Sequence, residues 1–115
     1  MSARDPRVTL AEIQEAARRL QAICAGKTLS SLLADWQATA ALERFIEILG
    51  AAVKRLPMEL RNRYPDVPWK DIAGTRDHLS HGYDDLDHQV LWDAVETDLP
   101  VLLATVERML KESHR

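Results

Sequence analysis

Apolar residues recur every three or four positions along most of this 115-residue chain, the period of an amphipathic helix. Leu10, Ile13, Ala17, Leu20 and Cys24 form the first stripe. Asp5-Pro6 reads as an N-cap followed by proline in the first turn. Thr9 and Glu12 offer a second capping box, and Gly26 ends the helix. A short helical turn is expected over Leu29 to Leu33. The strongest stripe follows, with Leu42, Phe45, Ile46, Leu49, Val53 and Leu56 in a helix from about Trp36 to Leu56. Gly50 interrupts it at a cost of about 1 kcal/mol against alanine, which close packing against another helix explains. Pro57 opens a short helix through Arg63, and Pro65 and Pro68 bracket a tight loop. Trp69 to Tyr83 reads as one further helix closed by Gly82. Leu86 to Leu110 is the last helical stretch, with a kink or restart at Asp98 and Pro100.

No stretch alternates apolar and polar residues like a half-buried strand. The fold class is therefore all-α, an up-and-down bundle of four to five helices in a single domain over residues 1–115. Composition adds limits on function. Fifteen Lys and Arg against eighteen Asp and Glu leave a formal net charge of -3, which excludes a generic basic coat for nucleic acid and permits a small local basic site. Apolar runs are too short for a membrane span of about 20 residues. One cysteine, Cys24, cannot form an internal disulfide. With no signal-like N-terminus, a cytoplasmic location is expected.

The chemistry concentrates in Gly74-Thr75-Arg76-Asp77-His78-Leu79-Ser80-His81-Gly82-Tyr83. On a continuous α-helix with Arg76 at 0°, Ser80 falls at about 40°, Asp77 at about 100°, His81 at about 140° and Tyr83 at about -20°. Leu79 and Ile72 fall together at about 300° to 320°. One wedge then carries a cation, an imidazole and a phenol. A neutral imidazole can take the proton of a ribose 2′-OH, and an arginine can hold the scissile phosphate. That chemistry requires no metal. Two copies across a two-fold axis would join Arg76 and His81 in one composite cleft. A charged, solvated helix face is the plain alternative for the same residues.

The pattern Arg76, four residues, His81, one residue, Tyr83 resembles the HepT-like ribonuclease toxins of the HEPN superfamily. The resemblance extends to Ala41-Leu42-Glu43-Arg44-Phe45-Ile46-Glu47-Ile48-Leu49-Gly50 as the family's central helix. It also takes in the entry Pro65-Asp66-Val67-Pro68-Trp69 and the exit Val90-Leu91-Trp92 with Asp98-Leu99-Pro100. It implies a homodimeric helical bundle with the motif at the dimer cleft. It implies a metal-independent endoribonuclease that cleaves RNA through 2′-OH attack, as the toxin of a type II or type VII toxin–antitoxin pair. The implied partner is a small nucleotidyltransferase antitoxin that transfers AMP to Tyr83. Arg76, His81 and Asp77 are the implied catalytic residues. Asp77 stands where the family commonly has asparagine, and Ala51 where it often has glutamate. The alternative is a non-catalytic module that binds a nucleotide or docks the nucleotidyltransferase.

Lys70, Arg61 and Arg63, with Ser80, are placed to guide an RNA backbone. His78, His81 and His88 with Asp84 and Asp85 lack the fixed second pair that a metal site needs, so no metal and no cofactor are expected. The acidic run from Asp84 to Asp98 is read as a solvated helix start. Trp36, Trp69 and Trp92 are expected in the core or an interface, and Cys24 as a buried small hydrophobe.

Overall fold

The side chain of Asp5 accepts a hydrogen bond from the Arg7 backbone N–H at 2.9 Å, and Pro6 fills the first turn. This cap starts α1, Pro6–Cys24, in the computed structural model. The structure describes the backbone of residues 5–81 and 85–113 and the side chains of 5–79 and 88–113. Thr9 lies buried inside α1, so the second capping box does not form. Gly26 follows the helix at φ +72°, a conformation that glycine alone takes without strain. Next comes α2, Leu29–Leu33, started by a reciprocal box in which Thr28 and Ser31 cap each other. Asp35 then accepts from Gln37 and Ala38 and opens α3, Trp36–Arg55. A single turn, α4, Met58–Asn62, leads to the Pro65–Pro68 loop and α5, Trp69–Thr75. The chain continues as a 3₁₀ segment, Arg76–His81. The last pair is α6, Asp85–Thr97, and α7, Leu99–Glu112.

The long helices α1, α3, α6 and α7 make the bundle. α1 packs against both α3 and α7, and α5 lies on α3. Leu10, Ile13, Leu20, Leu42, Leu49, Val53, Leu99, Leu102 and Val106 fill the core. No strand occurs among the described residues, and no described helix is long and apolar enough to cross a membrane. The all-α expectation therefore holds, as do the break at Asp98 and the burial of Cys24. Burial pushes the Cys24 thiol up, aided by Glu96 and opposed by Lys27. Trp69 is buried and Trp92 packs on the core, whereas Trp36 is 76% exposed at the first turn of α3. The expected helix from Trp69 to Tyr83 is not continuous. Gly74 weakens it. Thr75 Oγ1 donates to the Asp71 carbonyl at 2.8 Å, a back-bond that bends helices. Its expected end at Gly82 and Tyr83 lies outside the described residues.

Asp98 sits half-buried at the α6–α7 junction, where its side chain makes no cap hydrogen bond. Burial, and secondarily the charge of Asp71, hold its carboxyl above the usual carboxylate value. A raised native pKa means that the folded chain binds the proton more tightly than the unfolded chain. The associated stability is present below the unfolded pKa and is lost as pH rises through the folded one. Asp98→Asn is therefore expected to melt higher than wild type at pH 7, with the gap closing at pH 3. Equal melting temperatures at pH 7 would show that the carboxyl carries no such penalty.

Candidate active site

Two acidic residues of α3, Glu43 and Glu47, stand one turn apart, with Gly50 a turn further on. Spacings of four and three place all three on one helix face. The 3₁₀ segment and α6 pack against α3 and against each other along this part of the bundle.

Arg76 opens the 3₁₀ segment and lays its stem across Gly50. A Cβ built at Gly50 would stand 2.9 Å from Arg76 Cδ, 3.2 Å from Cγ and 3.2 Å from the Ala73 carbonyl oxygen. Only glycine leaves that space. This confirms the close approach expected at position 50 and identifies what approaches. Beyond the glycine, Arg76 Nη2 donates to Glu47 Oε1 in an ion pair whose side chains are 30% and 37% exposed.

His88, in α6, is 8% exposed, and its Nε2 lies 2.9 Å from Glu43 Oε2. An ionised carboxylate only accepts, so the proton sits on Nε2. Its Nδ1 is buried with no hydrogen-bond partner among the described residues. His88 thus ties α6 to α3, and neither it nor Glu47 was singled out as a functional residue by the sequence motif. The signal was present as Glu43, Glu47 and Gly50 at spacings of four and three beside the apolar stripe.

The 3₁₀ geometry changes the expected wedge. At about 120° per residue, position 79 falls in line with position 76, and position 81 lies about 120° from it in the sense opposite to an α-helix. The rise from 76 to 81 becomes about 10 Å instead of about 7.5 Å. Accordingly Leu79 packs on the core, and Arg76 turns towards α3. Asp77 is exposed in the first turn of the segment. His81 is its last residue. Tyr83 lies outside the described residues, and the side chain of Ser80 likewise.

The basic residues divide. Lys70, exposed on α5, lines a groove between α5 and α6 with Asp71, Thr75, His78 and Asp93. Arg63 lines a separate cleft with Pro6, Arg7, Tyr64 and Glu112, where α1, α4 and α7 meet. Arg61 belongs to α4. So only Lys70 shares an element with the approach to Arg76.

An all-α bundle carrying Arg76 and His81 at the two ends of one short segment, with the arginine pinned to the central helix, has the features of a helical ribonuclease. Comparison with known proteins agrees. The profile of the "Ribonuclease HepT-like" family matches residues 13–109. A candidate RNase of Methanocaldococcus jannaschii, MJ0127, is 33% identical over 112 residues, covering 97% of this chain and 93% of its own. A candidate RNase of Caldanaerobacter subterraneus subsp. tengcongensis, TTE0752, is 37% identical over 87 residues, covering 76% and 78%. A probable ribonuclease HepT of Thermococcus cleftensis is 32% identical over 102 residues, covering 89% and 93%. No solved structure matches the chain significantly. The chain belongs to the HepT-like ribonuclease family.

Proposed function

We propose that this chain is a metal-independent endoribonuclease, acting in the cytoplasm as the toxin of a toxin–antitoxin pair. The observation that carries the reading is Arg76, seated on Gly50 and tied to Glu47 five residues before His81. A guanidinium fixed in this way offers a phosphate a preformed donor. His81 then removes the proton from the ribose 2′-OH. The 2′ oxygen attacks the adjacent phosphorus, the bond to the 5′ oxygen breaks, and that oxygen takes up a proton. The products are a 2′,3′-cyclic phosphate and a 5′-hydroxyl. In a homodimer with the motif at the two-fold axis, one His81 serves as base and its counterpart as acid. Asp77 orients Arg76 or His81, and Lys70 and Ser80 guide the RNA backbone.

Control falls to Tyr83, as acceptor of AMP from a nucleotidyltransferase antitoxin. A phosphodiester beside Arg76 would occupy the place of the RNA phosphate. The test is cleavage of RNA in the presence of EDTA. Wild type is expected to cut RNA and leave cyclic phosphate ends, while a substrate carrying 2′-deoxyribose at the cut position stays whole. Cleavage of that deoxy substrate would rule out the 2′-OH as nucleophile.

A further inference from the structure

Arginine is a long side chain with several rotatable bonds, and an untethered one samples many positions for its guanidinium. Arg76 is restrained twice, and both restraints come from α3. Its methylenes run over the bare backbone of Gly50, and its Nη2 is fixed by the Glu47 carboxylate. The two residues are three apart on the same face, so one rigid helix sets both the path of the stem and the direction of the fork. A planar guanidinium has five N–H donors in a fixed arrangement. Holding one nitrogen therefore sets the direction of the others.

We infer that Glu47 is a positioning residue for Arg76, fixing the guanidinium that receives the RNA phosphate. This rests on the reading of Arg76 as the phosphate holder. Glu47 does not contact the reacting atoms. Its benefit is that the donor geometry exists before the substrate arrives, so less freedom is lost on binding. Its drawback is a negative charge beside a phosphate site. The two effects have opposite signs, and that makes the role measurable. A positioning carboxylate strengthens phosphate binding despite its charge. A carboxylate that merely competes with phosphate weakens it.

The experiment is a double-mutant cycle on the full chain. Its readout is the affinity for a 2′-O-methyl RNA oligonucleotide, which cannot be cleaved, together with the cleavage rate of ordinary RNA. Glu47→Ala is expected to weaken oligonucleotide binding about tenfold and to slow cleavage by about 10- to 100-fold, as expected for loss of a charge-assisted hydrogen bond. Glu47→Gln keeps an acceptor oxygen and is expected to lose less. In the Arg76→Ala background, Glu47→Ala is expected to change binding by less than twofold, because nothing remains to be positioned. A purely structural role predicts the same loss in both backgrounds and overturns the inference. Tighter binding by Glu47→Ala or Glu47→Gln also overturns it, since Glu47 is then a competitor. Wild type that binds but does not cleave refutes the proposed activity alone, and the binding cycle still decides the role of Glu47. Wild type that does neither refutes both.

Discussion

Alanine at position 81 is expected to slow RNA cleavage by about 10²- to 10⁴-fold, the usual cost of removing a general base or acid. His81 ends the 3₁₀ segment, beyond Leu79, the position that anchors this segment to the core. The far-ultraviolet circular dichroism of His81→Ala should therefore match wild type. Arg76→Ala is expected to lose activity to a similar degree by another route. It removes the donor of the phosphate contact and leaves Glu47 without its cation. Both side chains are about one-third exposed, so water solvates the orphaned carboxylate and the loss of stability stays small. Cleavage by His81→Ala at the wild-type rate would remove His81 from the mechanism.

The second large effect is expected from the smallest change, Gly50→Ala. In the middle of α3, alanine is favoured over glycine by about 1 kcal/mol of helix propensity. Against this, the new methyl would sit 2.9 Å from Arg76 Cδ and 3.2 Å from the Ala73 carbonyl oxygen. Overpacking of this kind typically costs about 1–3 kcal/mol. The stem of Arg76 is the flexible party, so it yields first and the helix is largely spared. The melting temperature should therefore move little, while cleavage falls at least about tenfold through the displaced guanidinium. Wild-type activity in Gly50→Ala would show that the arginine reaches phosphate without the cradle.

Most of the helix pattern could be read from the sequence, for local reasons. Asp5-Pro6 and Pro57 are caps or breakers whose chemistry acts within a few residues, and α1 and α4 start where they stand; the caps Thr28 and Asp35 of α2 and α3 emerged only with the structure. The 3₁₀ segment was not legible. It depends on competition between Thr75 and the backbone for one carbonyl, and on the distant pull of Glu47 on Arg76. A helical wheel assumes one period throughout and cannot register either influence. Trp36, expected in the core or an interface, is not in the core: it stands exposed in the first turn of α3. Gly50 was recognised as a close-packing position, but naming its neighbour required the tertiary fold, since Arg76 is 26 residues away in the chain.

The His88–Glu43 pair adds a topological consequence. The chain leaves α3 at the Arg76–Glu47 contact and is tied back to it at His88–Glu43, four residues along the same face. Residues so spaced lie about 6 Å apart on a helix, so both ends of the intervening stretch are pinned close together. These two contacts on one helix face already bring the ends of that stretch together. Closure cost grows slowly, by about 0.6 kcal/mol for each doubling of length. The stretch that holds the motif is thus tied to the central helix at both of its ends and reaches the core between them through Leu79.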